Sequence, residues 1–152
     1  MSQIERADLP TPKTIEYGQP ISAAQAAVVM KAAEACAQAE GWPMVIAIVD
    51  STGSIVMLHK LDQVQRASVD IAQAKAMTAV NFRRETRVFE ELLAGGGIGL
   101  RLLAMNNMTA LEGGLPIVVD GKVIGGIGVS GMHSKQDAYV AKVGLAAIGA
   151  AV

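Results

Sequence analysis

The chain has 152 residues, of which 51% are hydrophobic but only 3% aromatic, and 13 bases against 14 acids give a net charge of −1. Acids and bases are interspersed and no basic block appears. The composition therefore argues against nucleic acid and anionic membranes as partners and favours a small-molecule ligand. This length suits a single domain with a core of its own.

The hydrophobic residues are mostly small, and flat faces of small side chains tend to pack against copies of the same protein, so we predict a homo-oligomer. The longest apolar runs, Pro43 to Val49 and Val143 to Val152, are too short to cross a bilayer. The first residues lack the apolar segment of a secretory signal, and we expect a cytoplasmic protein. Cys36 is the single cysteine, which excludes a disulfide framework and a thiolate zinc cluster within one chain.

The first half of the chain predicts an arm, a helix and a hairpin. Prolines among polar residues indicate an extended arm over residues 1–20, which leaves residues 21–152 as one domain. A helix begins after Ser22, where Gln25 completes a capping box, and ends at Gly41. Two apolar runs separated by turn residues then predict a β-hairpin from Met44 to Leu61.

The second half predicts two more helices and a second hairpin. Residues 67–87 have helical periodicity, the stretch Gly95 to Gly97 indicates a flexible loop after a helix end, and the pattern at residues 101–108 is ambiguous. Asp120-Gly121 separates two further apolar runs and is the strongest hairpin signal in the chain. An Ala-rich helix runs from about Lys135 to Val152. Two hairpins among helices predict an α/β (α+β) fold with a central antiparallel sheet.

Lys75 occupies the face of the 67–87 helix that should be apolar. Stepping 100° per residue places Asp70, Gln73, Met77, Asn81 and Arg84 on one face and Ser68, Ala72, Lys75, Ala79 and Phe82 on the other. A buried ammonium without a partner would cost several kcal/mol. Either the side chain lifts its charge to the surface, or it pairs with a ligand anion or with Asp62, Glu112 or Asp137. Three arginines near the end of this helix, Arg83, Arg84 and Arg87, indicate a solvated helix end, with subunit salt bridges as the alternative.

The segment from Gly126 to Gly131 matches the G-x-G-x-x-G pattern. Its strand belongs to a hairpin rather than a βαβ unit, so a dinucleotide site is not expected. Two uses remain open. The glycines permit close packing of a helix on the sheet, or the residues from Ser130 to Ser134 offer free N–H groups to a carboxylate such as a propionate.

His59 and His133 are the two imidazoles of the chain. His59 lies in the second predicted strand, and His133 follows Gly131. Neither has a second histidine at metal-ligand spacing, so we expect no protein-only zinc site within one chain. One histidine suffices as an axial haem ligand, and an ordinary hydrogen-bonded histidine is the alternative for each.

Taken together, these residues resemble the GlcG/HbpS-like family, which includes haem-binding and haem-degrading proteins. The resemblance covers roughly residues 20 to 150. It rests on Ala47-Ile48-Val49-Asp50 with Gly53, Leu61-Asp62, Ser68, Ala74-Lys75-Ala76, Thr78-Ala79, Phe82-Arg83, the segments Gly113 to Ile117 and Gly125 to Gly131, and Gln136-Asp137. It implies a profilin-like three-layer α/β/α fold with a five-stranded antiparallel sheet, and assemblies from dimers to octamers. Met132-His133 after Gly131 and Gln63 after Asp62 depart from the pattern, because the family often has glycine at both places.

Two functional hypotheses follow. The first is a small-molecule-binding protein with haem or another tetrapyrrole as ligand, in which His59 or His133 is axial while Lys75 and the N–H groups from Ser130 and Gly131 onward receive propionates. The second is a cofactor-independent lyase, isomerase or decarboxylase that acts on a small carboxylated metabolite. Lys75 would then serve as acid/base or electrophile, with Asp62 or Glu112 setting its charge.

Overall fold

The computed structural model describes residues 13–152. Five strands and four helices lie along this part of the chain, and a 3₁₀ helix occupies residues Gly97–Ala104. Their bounds are β1 (Glu16–Tyr17), α1 (Ala23–Glu40), β2 (Val45–Asp50), β3 (Ile55–Lys60), α2 (Ser68–Phe82), α3 (Arg87–Ala94), β4 (Gly114–Val119), β5 (Lys122–Ser130) and α4 (Ser134–Ala146). No helix among residues 13–152 combines the length and the apolar character needed to span a membrane.

The helix ends follow local sequence rules at α1. The Ser22 hydroxyl accepts a hydrogen bond from the Gln25 backbone N–H, and the Gln25 side-chain oxygen accepts one from the Ser22 backbone N–H, so the predicted capping box is present. Gly41 ends the helix in the left-handed conformation, at φ 71°. Glycine adopts this conformation without steric strain because it has no Cβ. The predicted end of the helix at Gly41 is confirmed.

The sheet is built around β5. One edge of β5 pairs with β4 through the Asp120-Gly121 turn, and the other edge pairs with β2 along residues 125–130. β2 continues into β3 through the first predicted hairpin. The three-layer α/β/α arrangement is confirmed, because α1 and α4 bury one face of the sheet in the main core while α2 covers the other.

The expectation of a wholly antiparallel sheet is wrong in one detail. β1 lies within the predicted arm and pairs in parallel with β5, with Glu16 opposite Lys122 and Tyr17 opposite Val123. The Tyr17 hydroxyl also donates to the Val80 carbonyl at 2.8 Å, which ties the strand to α2. Residues 1–12 of the predicted arm lie outside the described residues.

Two other elements differ from expectation. The 3₁₀ helix of residues 97–104 begins at the last residue of the predicted Gly95 to Gly97 loop and takes in the first part of the ambiguous 101–108 stretch. The last helix ends at Ala146 rather than Val152, because the chain turns at Gly149, φ 66°, and the Ala151 N–H then donates to the Val118 carbonyl of β4. A backbone bond to the sheet replaces the last helical turn.

The glycines of β5 bring α2 against the sheet. A Cβ at Gly128 would lie 2.0 Å from the Ala72 carbonyl oxygen, and one at Gly126 would lie 2.6 Å from the Ala76 carbonyl oxygen. No side chain fits at such distances. Of the two uses left open by the sequence, close packing of helix on sheet is therefore the one that these two glycines serve.

Candidate functional site

The inward position of Lys75 is confirmed, and its ammonium stays inside the protein. The side chain is 2% exposed and donates to the Asp137 carboxylate at 2.8 Å and to the Val129 carbonyl at 2.8 Å. The interpretation in which the charge reaches the surface is therefore wrong. The ion pair links α2 to the first turn of α4 across the end of β5.

The Asp137 carboxylate also serves the loop that precedes its helix. One oxygen accepts from the Met132 backbone N–H at 3.0 Å, and the carboxylate further interacts with the Gly131 N–H. Burial raises the pKa of Asp137 above its ordinary value, while the Lys75 ammonium and these two N–H groups oppose the rise. The anion site expected after Ser130 is thus filled by a carboxylate of the protein itself.

Two glycines close this ion pair from the side of β4. Gly113 has φ 123°, and a Cβ there would lie 2.8 Å from the Lys75 Nζ and 2.9 Å from the Asp137 Cβ. A Cβ at Gly114 would lie 2.4 Å from the Lys75 carbonyl oxygen. The Gly113-Gly114 pair is therefore required by the close approach of backbone to Lys75.

Ser130 and His133 have internal partners at the start of α4. The buried Ser130 hydroxyl donates to the Ser68 Oγ at 3.1 Å, and the His133 backbone N–H donates to the Gln136 side chain at 3.2 Å. The His133 imidazole is exposed beside the exposed Met132. With the contacts of Asp137, the N–H groups of Gly131, Met132 and His133 all have partners within the protein, so three of the N–H groups predicted to receive a ligand propionate are already used.

Asp62 and Glu112 lie apart from the Lys75 ammonium. Asp62 is exposed and lines a groove of about 630 Å³ beside Trp42 and Pro43. The Glu112 backbone N–H donates to the Glu90 carboxylate at 3.2 Å. Neither carboxylate is hydrogen-bonded to Lys75 within residues 13–152, so Asp137 is the partner among the three acids considered from the sequence.

His59 forms a pair with Glu34 that the sequence analysis missed. The His59 Nδ1 contacts the Glu34 carboxylate of α1, and the imidazole is 45% exposed. An ionised carboxylate only accepts hydrogen bonds, so Nδ1 is the donor, and in the neutral imidazole the lone pair is then on Nε2. The signal was available, because Glu34 lies one turn from Met30 and Ala37 on the buried face of α1, where a carboxylate stands out.

Sequence comparisons support the resemblance. The model of the HbpS-like family, which is described as haem-degrading protein HbpS-like, matches residues 21–146. The chain is 38% identical over 110 residues to protein GlcG of Escherichia coli strain K12, a match that covers 72% of this chain and 81% of GlcG.

Structural comparisons give the same fold. A structure of PduOC in complex with haem superposes with a TM-score of 0.79 at 28% identity, covering 87% of this chain and 97% of PduOC. A double mutant of HbpS from Streptomyces reticuli superposes with a TM-score of 0.79 at 26% identity, covering 95% and 99% of the two chains. The chain therefore belongs to the family of haem-degrading HbpS-like proteins.

Proposed function

We propose that this protein binds haem or a closely related tetrapyrrole, with His59 as the axial ligand. The observation that carries the proposal is the His59–Glu34 pair. Metal-binding histidines usually donate their second ring nitrogen to a carboxylate or carbonyl, which fixes the tautomer and makes the ligating nitrogen more basic. Here Glu34 holds Nδ1, and Nε2 of the partly exposed imidazole is the nitrogen left for iron.

The donor set fits haem better than a bare metal ion. Within residues 13–152 no group of three or more His, Cys, Asp or Glu side chains is placed to hold a metal ion. A haem iron already has four porphyrin nitrogens and needs one or two protein ligands, so a lone imidazole suffices. Bound haem would supply an iron centre whose reactivity is set by the axial ligand and its hydrogen bond.

We assign a propionate to the exposed Lys31 rather than to Lys75. Lys31 lies one turn before Glu34 on α1, and α1 packs on the face of the sheet from which His59 projects. Lys60 follows His59 in β3, so its side chain leaves the opposite face. Lys75 has Asp137 as a buried partner, and an external carboxylate would have to displace it.

We also propose that the protein works as a cytoplasmic homo-oligomer. Large apolar side chains are exposed on the 3₁₀ helix and the residues after it, with Ile98 76% and Leu103 70% exposed and Leu100 and Met105 also exposed. Exposed apolar side chains concentrated in this way are typical of a surface that another protein covers. Light scattering after gel filtration should give a mass of at least twice 15.8 kDa.

Haemin titration of the ligand-free protein tests the proposal, because the chain has two histidines that can be removed separately. The wild type and His133→Ala should give a saturable Soret shift, whereas His59→Ala should lose it or give the spectrum of a different axial ligand. Glu34→Gln should keep binding with lower affinity, since an amide accepts a weaker hydrogen bond from Nδ1. No saturable shift in the wild type, or loss in His133→Ala alone, contradicts the assignment.

A further inference from the structure

Three cationic residues line one concave pocket at the C-terminal end of α2, and the pocket includes neither His59 nor the Lys75–Asp137 pair. Lys13, Arg83 and Arg84 line a cavity of about 320 Å³ whose remaining walls include Ile15, Phe82 and Val88. Among residues 13–152, no acidic side chain lines it. Its volume is at the lower end of the range for small-molecule sites.

Both guanidinium groups are held in place by aromatic rings and backbone carbonyls. Arg83 lies 5.2 Å from the centre of the Tyr17 ring and donates to the Ile15 carbonyl at 2.8 Å. Arg84 lies 6.0 Å from the centre of the Phe89 ring, and its Nε donates to the Phe82 carbonyl at 3.3 Å. Each guanidinium has five N–H donors, so several remain on each after these bonds.

The local electrostatics distinguish these arginines from their neighbour. Arg87, a few residues along, forms ion pairs with Glu85 at 3.4 Å and with Glu91 at 3.1 Å. Within the described part of the chain, neither Arg83 nor Arg84 has a carboxylate within salt-bridge distance. Within residues 13–152, the charges of Arg83 and Arg84 are therefore not neutralised by a nearby carboxylate, whereas the charge of Arg87 is.

The position of both arginines at the end of α2 accounts for only part of this arrangement. The negative end of the helix dipole favours cations there, and backbone N–H groups of Arg83 and Arg84 bond the Ala79 and Val80 carbonyls that would otherwise be free. The predicted solvated helix end does not require both guanidinium groups to line the same cavity as Lys13.

We infer that this pocket binds a small monocarboxylate with an apolar body about the size of one aromatic ring. A guanidinium presents paired N–H donors that match the two oxygens of a carboxylate, and Lys13 adds a point charge. Ile15, Phe82 and Val88 supply the apolar contact that a bare inorganic anion could not use. The inference is independent of the proposed haem site.

The test uses the full chain without haem, in a buffer of low chloride concentration, with benzoate as the probe. Benzoate should bind one site per chain with a dissociation constant on the order of millimolar, as expected of so small a ligand. Acetate should bind at least about tenfold more weakly, and benzyl alcohol should not bind. In nitrogen–proton NMR spectra, the Arg84 side-chain Nε–H signal should shift with benzoate.

Charge-neutral variants locate the site. Arg84→Gln should weaken benzoate binding at least about tenfold and Lys13→Gln by a smaller factor, because loss of a charge-assisted contact changes affinity by this order. Arg87→Gln is the matched control and should bind as the wild type does. Circular dichroism confirms that each variant is folded, and the exposed Lys13 provides the test if Arg84→Gln is not.

Several results would overturn the inference. They are the absence of saturable benzoate binding, equal affinity in Arg84→Gln or, where that variant is unfolded, in Lys13→Gln, and an equal loss in Arg87→Gln. Phosphate binding as strong as benzoate binding would also do so, because it would show that the apolar walls contribute nothing. None of these results bears on the haemin titration.

Discussion

Replacing Lys75 by methionine isolates the buried ion pair, because methionine keeps most of the apolar stem and removes the ammonium. In the wild type the ammonium contacts the Asp137 carboxylate and the Val129 carbonyl, and both side chains of the ion pair are almost completely enclosed, at 2% and 3% exposure. The variant leaves a buried carboxylate whose remaining partners are backbone N–H groups of Met132 and Gly131.

The expected loss follows from that geometry. Removing one partner of a buried ion pair typically costs about 3 to 5 kcal/mol, since the other charge stays desolvated. For a chain of this length, 1 kcal/mol shifts the melting temperature by roughly 2 to 4 °C, so a decrease of roughly 6 to 20 °C is expected. The variant also loses the hydrogen bond to the Val129 carbonyl, which lowers the free energy of unfolding further.

Urea unfolding of Lys75→Met, Asp137→Asn and the double variant measures the effect. The loss in the double variant should be smaller than the sum of the two single losses by at least about 2 kcal/mol, because each single variant leaves one unpaired buried charge and the double variant leaves none. Loss of the ammonium raises the Asp137 pKa further, so the folded variant takes up a proton more readily than the unfolded chain. The loss in Lys75→Met should therefore shrink as the pH falls. A loss under about 1 kcal/mol, or full additivity, would refute the reasoning.

Three further predictions concern positions where backbone geometry or a local hydrogen bond is decisive. Gly113→Ala should lower the free energy of unfolding by at least about 2 kcal/mol in urea titrations, because its Cβ would press on the Lys75 Nζ at a positive φ. Gly128→Ala should lower it by about 3 kcal/mol or more because α2 must move off the sheet, whereas Gly95→Ala, with only ordinary contacts, should change it little. Asp50 has a lowered pKa, mainly because a neighbouring threonine hydroxyl donates to it, so its charged form stabilises the fold at neutral pH. Asp50→Asn should therefore be less stable than the wild type at pH 7, and the difference should vanish as the pH falls below about 4 towards the lowered pKa.

Local rules predicted most of the elements. Ser22 with Gln25 and Gly41 define α1, and Asp120-Gly121 defines a hairpin, because each signal acts over a few neighbouring residues. The inward phase of Lys75 followed from 3.6-residue periodicity in the same way. These features need no knowledge of the rest of the chain.

The features that the sequence did not predict depend on contacts between residues that are distant in the chain. Asp137 stands 62 residues from Lys75, and the sequence did not distinguish it from the two other candidate acids. β5 brings the first turn of α4 to the strand end that the Lys75 side chain reaches from the other face of the sheet. The pairing of β1 with β5 and the turn at Gly149 that ends α4 early likewise depend on sheet edges formed by distant residues. Glu34, by contrast, could have been identified from helical phase alone, because it lies near the buried face of α1, and the sequence analysis missed it.

The most direct test of the central proposal is imidazole rescue of a His59→Gly variant in the presence of haemin. Glycine opens space where the ring stood, and added imidazole can then take the axial position. The account predicts that His59→Gly with haemin lacks the wild-type absorption spectrum and regains it when imidazole is added, whereas His133→Gly has the wild-type spectrum without imidazole. A wild-type spectrum in His59→Gly before any imidazole is added would contradict the account.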